Sequence, residues 1–78
     1  MADVTVYTKN RCQPCKATTR KLTELGIAFD TINVDEDPAA RDLLVAEGWR
    51  ESPVVKTASG RAWSGYHPGE LASLESAA

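Results

Sequence analysis

The sequence predicts an α/β fold, in which three helices pack on a four-stranded mixed sheet in the order β-α-β-α-β-β-α. Strand-forming stretches occur at residues 3–8, 28–34 and 53–64, and the last is long enough for a hairpin. Segments with apolar residues at helical spacing separate and follow them. A chain of 78 residues is enough for one small domain, so we expect residues 1–78 to form a single domain.

The first strand is predicted at residues 3–8 and the first helix at residues 13–25. Gly26 is a natural stop for this helix, because glycine readily adopts the left-handed conformation that ends helices. One stripe of the helix is expected to face the sheet, and it consists of Cys15, Thr18, Leu22 and Leu25.

The second strand is predicted at Ala28–Val34, with Ile32 and Val34 on one face. If it lies parallel to the first strand, the helix between them forms a crossover connection. Such connections are almost always right-handed, which places the first helix on a defined face of the sheet.

The acidic cluster Asp35–Asp37 is interpreted as a cap for the second helix. Its last member precedes Pro38, and proline suits the first position of a helix because its missing N–H has no partner there. The second helix is predicted to carry Leu43 and Leu44 inward and to end near Gly48.

The hairpin is predicted as a third strand at residues 53–57, a turn at 58–60 and a short fourth strand at 61–64. Pro68 then opens the third helix, whose inward residues are Leu71 and Leu74. This order of elements resembles the minimal thioredoxin fold from the first strand to the last helix.

Composition excludes several classes of function. The net charge is -2, acidic and basic residues are mixed, and no basic run indicates a nucleic-acid partner. The N-terminus lacks the pattern of a signal peptide, and no apolar stretch approaches the ~20 residues that span a membrane. We therefore expect a cytoplasmic protein, in which thiols are kept reduced and a Cys-x-x-Cys motif is catalytic or binds metal.

Cys12 and Cys15 are the only cysteines, and their spacing is that of a redox dithiol. Cys12 should lie at the start of the first helix, where free N–H groups and the helix dipole favour an accessible thiolate. Nearby positive charge comes from Lys9, Arg11 and Lys16, although Lys9 and Arg11 are equally consistent with ordinary solvated charges. Cys15 should point inward and stay protonated. The sequence thus predicts that Cys12 attacks a disulfide and Cys15 resolves the mixed disulfide.

Two prolines accompany the dithiol. Pro14 is tolerated in the first helical turn, and it removes an N–H that could stabilise a thiolate, so we expect a more reducing couple. In a thioredoxin-like fold, a proline at position 53 is expected to be cis and to face the dithiol, which leaves the backbone of Ser52 free to pair with an extended substrate. A trans proline that opens an edge strand is the alternative.

The segment Trp63–Pro68, together with Val4–Lys9, Cys12–Cys15 and Ser52–Val55, resembles the NrdH-type redoxins, which are glutaredoxin-like proteins with thioredoxin-like activity. The family pattern is W-S-G-F-[RK]-P, and here Tyr66 and His67 replace the Phe and the basic residue. The resemblance implies a monomer that is reduced by thioredoxin reductase with NADPH upstream. It also implies that the protein reduces the large subunit of class Ib ribonucleotide reductase, and that a Cys12–Cys15 disulfide serves in place of a bound cofactor.

The predicted site therefore has two catalytic cysteines and a set of residues that contact the substrate or the reductase. Trp63 and Tyr66 could instead simply pack at the edge of the sheet, and His67 is interpreted as an exposed or helix-capping residue. The predicted contact residues are Gln13, Pro14, Ser52, Pro53, Trp63, Ser64, Gly65 and Tyr66.

Two other functions compete with this prediction. A glutathione-dependent glutaredoxin is the first, although the segments expected to grip glutathione, T-V-P and G-G-x-D, are replaced by Glu51–Pro53 and Trp63–Tyr66. The second is a dimer that shares a zinc ion or an iron–sulfur cluster, because one chain with two cysteines and one histidine cannot supply four soft ligands.

Overall fold

The computed structural model describes residues 3–76 and confirms the predicted order of elements. None of its helices is both long and apolar enough to span a lipid bilayer. The strands and helices are β1 Val4–Thr8, α1 Gln13–Glu24, β2 Phe29–Asn33, α2 Pro38–Ala46, β3 Val54–Thr57, β4 Ala62–Ser64 and α3 Pro68–Ser76.

The strands form one mixed sheet in the order β2-β1-β3-β4, as a thioredoxin fold requires. β1 pairs in parallel with β2, and the register places Val6 beside Thr31. On its other side β1 pairs antiparallel with β3, where Val6 lies opposite Val55, and β3 continues into the antiparallel partner β4. β1 is therefore an inner strand, and it leads directly into the cysteine motif.

The hydrophobic core lies on the face of the sheet that α1 and α3 cover. Val4 and Val6 alternate onto this face from β1, while Leu22 and Leu71 reach it from the two helices. Both leucines are fully buried, so truncation of either to alanine should destabilise the fold by about 2–5 kcal/mol. This packing holds α1, and with it the cysteine motif, against the sheet.

The opposite face of the sheet meets the end of α2. Lys56 points away from Val55 because successive strand residues alternate, and its Nζ lies 2.6 Å from Oε1 of Glu47. Glu47 is the residue that caps the C-terminus of α2. The same ammonium group lies 5.4 Å from the centre of the Tyr7 ring. Helices therefore lie on both faces of the sheet. The hydrogen bond from Lys56 also lowers the pKa of Glu47.

Leu43 does not point inward, so this part of the prediction for α2 was wrong. Leu44 is buried, but Leu43 is 47% exposed. Consecutive helical residues are about 100° apart, and a helix of nine residues turns only a narrow stripe towards the sheet. One of two adjacent leucines is then left on the solvent side.

The predicted stops at the helix ends are confirmed within one or two residues. α1 ends at Glu24, and Gly26 follows with a φ of +72°. α2 begins at the predicted cap, where Oδ1 of Asp37 accepts a hydrogen bond from the N–H of Ala40 at 3.1 Å. It ends two residues before Gly48, whose φ is +88°. Glycine adopts these left-handed angles at little steric cost.

Candidate active site

Cys12 and Cys15 form a disulfide at the N-terminus of α1, with their Cα atoms 5.2 Å apart. Cys12 is the N-cap residue, and its Sγ accepts a hydrogen bond from the backbone N–H of Cys15 at 3.1 Å. An N-cap side chain ordinarily accepts from the second or third helical residue. Here Pro14 occupies the second position and has no N–H, so the N–H of Cys15 serves this purpose.

The two cysteines are equally buried in this disulfide form. Cys12 is 4% exposed and Cys15 is 3% exposed, so the accessibility of Cys12, which was expected for the reduced thiols, stays a prediction. The disulfide folds both sulfurs into one helical turn, which shields them alike. The difference between them is electrostatic, because Sγ of Cys12 faces the N-terminal N–H groups of α1 and accepts one of their hydrogen bonds.

Gln13 and Pro14 are both exposed beside the disulfide, where an approaching partner can reach them. The carbonyl of Pro14 accepts a hydrogen bond from Oγ1 of Thr18 at 2.8 Å. Thr18 itself is fully buried, so this bond satisfies a hydroxyl inside the core and holds the first turn of α1 in place.

The loop before Cys12 is attached to the end of β2 by side chains that the sequence analysis missed. The backbone N–H of Asn10 donates to Oδ2 of Asp35 at 2.8 Å, and Nδ2 of Asn33 donates to Oδ1 of Asn10 at 2.9 Å. The partners are more than 20 residues apart in sequence, so no local pattern reveals them. Asp35 therefore holds the active-site loop, and of the acidic cluster it is Asp37 that caps α2.

Arg11 has a φ of +56°, and it is the only residue other than glycine with a positive φ among residues 3–76. The left-handed conformation is unfavourable for a side chain with a Cβ atom, by roughly 1–2 kcal/mol. The chain makes this turn immediately before the N-cap residue, and Arg11 is exposed at its tip.

The Ser52–Pro53 peptide bond is cis, as the thioredoxin-like fold predicts. Pro53 is fully buried, and its carbonyl accepts a hydrogen bond from the N–H of Gly65 at 2.8 Å. The backbone of Ser52 makes no hydrogen bond with any other residue in the described part of the chain. Ser52 therefore keeps a free N–H and a free carbonyl just before β3.

The segment after β4 combines a packing residue with an exposed one. Trp63 is half-buried against the core, and the guanidinium of Arg61 lies 5.3 Å from the centre of its ring. The interpretation of Trp63 as a packing residue is thus supported. Tyr66 is 40% exposed and is available for contact with a partner. Between them Ser64 pairs with Val54 in the sheet.

Gly65 adopts a φ of +84°, which a residue with a Cβ atom rarely takes. A Cβ built at this position would lie 3.4 Å from Oε2 of Glu51 and 3.5 Å from Nε2 of His67. The His67 side chain is exposed. The backbone carbonyl of His67 accepts a hydrogen bond from the N–H of Leu71 at the start of α3. His67 is therefore an exposed residue that contributes to the helix start through its backbone.

A groove of about 290 Å³ lies between β4 and the start of α3. Arg61 and Glu70, which form an ion pair, both line it. Its lining residues are Arg61, Ala62, Trp63, His67 and Glu70.

The predicted site residues thus form two connected groups. Hydrogen bonds link Cys12 to Cys15 in the first group and Pro53 to Gly65 in the second. The predicted contact between Pro53 and the dithiol stays a prediction. Within residues 3–76, no three or more His, Cys, Asp or Glu side chains are grouped so that they could hold a metal ion.

Known proteins resemble the chain along most of its length. The glutaredoxin family model matches residues 4–59. The glutaredoxin-like protein NrdH of Lactococcus lactis is 46% identical over 71 residues, which cover 91% of this chain and 97% of that protein. NrdH of Escherichia coli is 42% identical over 74 residues, which cover 95% of this chain and 90% of that protein.

Solved structures show the same relationship. NrdH-redoxin from Escherichia coli, described as a glutaredoxin-like protein with a thioredoxin-like activity profile, superposes with a TM-score of 0.86 at 41% identity and covers 91% of this chain and 92% of that one. A glutaredoxin from Archaeoglobus fulgidus superposes with a TM-score of 0.76 at 26% identity, covering 95% of this chain and 86% of that one.

Proposed function

This chain belongs to the glutaredoxin family, among its NrdH-type members, and we propose that it carries electrons from thioredoxin reductase to a class Ib ribonucleotide reductase. The coarser activity, thiol–disulfide oxidoreduction, follows from this membership and from the Cys12–Cys15 disulfide. The dithiol chemistry is supported by the hydrogen bond from the N–H of Cys15 to Sγ of Cys12 at the helix N-terminus. The two partners are proposed from the likeness to the NrdH proteins.

That arrangement favours Cys12 as the attacking sulfur. In the reduced protein, the N-terminal N–H groups and the helix dipole stabilise negative charge on Sγ of Cys12. For thiols in general, a pKa that falls from ~8.5 to ~7 raises the thiolate fraction at pH 7 about 15-fold. The lower nucleophilicity of the more acidic thiolate reduces the attack rate about 5-fold, so the net gain is small. The tethered thiol of Cys15 therefore matters more, because it makes the second step intramolecular.

The cycle has two halves, reduction of this protein and reduction of its substrate, and each half transfers two electrons and two protons. Thioredoxin reductase, which itself takes electrons from NADPH, reduces the Cys12–Cys15 disulfide to two thiols. The Cys12 thiolate then attacks a substrate disulfide, which forms a mixed disulfide and releases one substrate thiolate. Cys15 attacks Sγ of Cys12, which restores the protein disulfide and releases the second substrate thiol.

The substrate is expected to approach along Ser52 and the exposed residues near the motif. The free N–H and carbonyl of Ser52 suit an extended peptide that adds as a strand. Gln13, Pro14 and Tyr66 are exposed and offer contacts to its side chains. The remaining residues of the proposed contact surface are Pro53, Trp63, Ser64 and Gly65.

Three observations support the choice of electron source. The segment Trp63–Pro68 keeps four of the six positions of the NrdH pattern, and the Escherichia coli relative is described as thioredoxin-like in activity. The segments expected to grip glutathione are replaced at Glu51–Pro53 and Trp63–Tyr66.

We also propose that the protein is a cytoplasmic monomer with no bound cofactor.

A coupled assay tests the electron source. Oxidation of NADPH is followed with a disulfide substrate, with thioredoxin reductase in one arm and with glutathione and glutathione reductase in the other. We expect turnover with thioredoxin reductase and little with glutathione. Turnover with glutathione alone would instead assign the protein as a glutathione-dependent glutaredoxin.

A further inference from the structure

The segment that contains the cysteine motif has an unusual charge distribution. Between Lys9 and Lys21 the chain carries five cations and no carboxylate. The segment has a charge of +5 while the whole chain has -2, which leaves -7 for the remaining residues. Positive charge is therefore concentrated in this segment of the sequence, and the carboxylate of Asp35 contacts it through the N–H of Asn10. The five cations are Lys9, Arg11, Lys16, Arg20 and Lys21.

These charges are not neutralised by contacts within the protein. Lys9, Arg11 and Lys16 are exposed, and so is Arg20. The ion pairs among the described residues lie elsewhere, between Lys56 and Glu47 and between Arg61 and Glu70. The cationic side chains near the motif are thus available to an incoming partner.

The arrangement opposes helix stability, which points to a role outside folding. Lys16 and Arg20 are four residues apart on α1, so their like charges repel along one face of the helix. α1 has no acidic residue in its first turn, where a carboxylate would be favourable. Lys16 occupies that first turn instead, and Arg11 takes an unfavourable left-handed conformation just before the N-cap.

We propose that a cationic rim, formed by Lys9, Arg11 and Lys16, selects disulfides that lie in acidic peptide segments. The inference rests on the proposed function and names its substrate class. Lys16 lies four residues after Cys12, or about 6 Å along the helix axis. A carboxylate beside a sulfur that reacts with Cys12 can therefore lie within the Debye length of Lys16, which is about 8 Å at physiological ionic strength. The attraction between the two charges is then only partly screened.

The selected reaction is a balanced exchange. The reduced dithiol and the disulfide of the acidic peptide become the Cys12–Cys15 disulfide and two peptide thiols. Two electrons pass to the peptide, and two protons follow them. The rim takes no part in bond breaking. It raises the encounter rate and holds carboxylates that flank the target sulfur.

Three peptides test the proposal. Each carries the same disulfide, flanked by aspartates, serines or lysines, and each is mixed with stoichiometric protein that has been reduced and freed of reductant. The rate of peptide thiol formation is measured in a single turnover. At low salt we expect the aspartate peptide to react at least ~10-fold faster than the lysine peptide, and the ratio to fall towards one at ~0.5 M salt.

Charge-reversal variants separate the rim from net charge. Arg11→Glu and Lys16→Glu should each lower the ratio of aspartate to lysine rates by several-fold at low salt. Arg41→Glu makes the same change of charge at an exposed position on α2 and should leave the ratio unchanged. Using a ratio cancels any effect of the variants on the reactivity of Cys12 itself.

The outcomes distinguish this inference from the function on which it rests. Equal rates for the three peptides would leave the oxidoreductase intact and overturn the selectivity, and so would an equal fall in the ratio for Arg41→Glu. Failure to reduce any peptide would overturn the proposed function and the selectivity together.

Discussion

The backbone N–H of Asn10 donates to Oδ2 of Asp35 over 2.8 Å and thereby joins the loop before the dithiol to the residues that follow β2. Nδ2 of Asn33 donates to Oδ1 of Asn10, and Oδ1 of Asn33 accepts from the N–H of Asp35. The three side chains form a small network at the end of the parallel pair β1–β2. This network fixes where Cys12 enters α1.

Asp35→Ala removes the acceptor for the N–H of Asn10 and should destabilise the protein by about 1 kcal/mol, because the lost bond has a charged acceptor at an exposed site. Urea denaturation measures the change. Glu36→Ala is the matched control, since it removes a neighbouring carboxylate that makes no side-chain hydrogen bond among the described residues. Equal losses from the two variants would contradict the role of Asp35.

Cys15→Ser should trap a mixed disulfide, because Cys12 can attack a substrate but no second thiol resolves the product. Cys12→Ser should trap almost nothing, since Cys15 accepts no N-terminal hydrogen bond from α1. Non-reducing gel electrophoresis with a disulfide substrate measures the adducts. Similar trapping by both variants would reverse or abolish the assigned order.

Pro14→Ala should make the reduction potential less negative. Alanine restores an N–H at the second helical position, where it can donate to Sγ of Cys12 and stabilise the thiolate of the reduced form. A stabilisation of about 1.4 kcal/mol corresponds to roughly 30 mV for this two-electron couple. Equilibration with a glutathione redox buffer measures the potential, and an unchanged value would show that the missing donor does not matter.

Gly65→Ala should destabilise the protein by about 1–2 kcal/mol, because alanine is unfavourable at a φ of +84°. Thermal unfolding measures the loss, which for a domain of this size is a fall of roughly 4–8 °C per kcal/mol. Gly69→Ala is the control, because a Cβ at that position meets no other atom within 4 Å.

Glu47→Gln should remove a pH-dependent contribution to stability. The pKa of Glu47 is lowered in the folded protein chiefly by the hydrogen bond from Lys56, so the ionised carboxylate stabilises the fold. This contribution is complete above the unfolded value of about 4.5 and is lost as pH falls through the lower folded value. The wild-type and variant free energies of unfolding should therefore differ at pH 7 and converge in acid.

Lys56→Met tests the cause of that pH dependence. Without the ammonium group, the protein should lose at pH 7 the same contribution that Glu47→Gln removes, and the two proteins should approach wild-type stability in acid. The measurement is denaturant unfolding across pH 3–7. A wild-type and a Glu47→Gln protein that differ equally at every pH would show that the ion pair does not act through the charge of Glu47.

Most of the fold was predictable because its signals are local. The cap at Asp37, the stop at Gly26 and the helical stripe that contains Leu22 each involve residues within a few positions of one another. The cysteine motif is equally local, and its placement at a helix N-terminus follows from the strand before it. Cap residues and periodicity therefore located the elements within one or two residues.

The remaining features depend on tertiary contacts. Asn10 and Asp35 are neighbours only because β1 and β2 pair in parallel, and no spacing in the sequence encodes that contact. The exposure of Leu43 depends on how α2 is rotated against the sheet, which two adjacent leucines cannot specify. The equal burial of Cys12 and Cys15 follows from the bond between them, whereas the sequence argument concerned the reduced thiols.

The attachment of Asn10 to Asp35 has a consequence for synthesis of the chain. Both cysteines emerge from the ribosome well before residues 33–35 do, so the newly made segment lacks the carboxylate of Asp35 and the amide of Asn33 that later hold its loop. The dithiol acquires its supporting network only when the parallel strand pair has formed. Attachment of the loop before Cys12 is thereby tied to completion of β2.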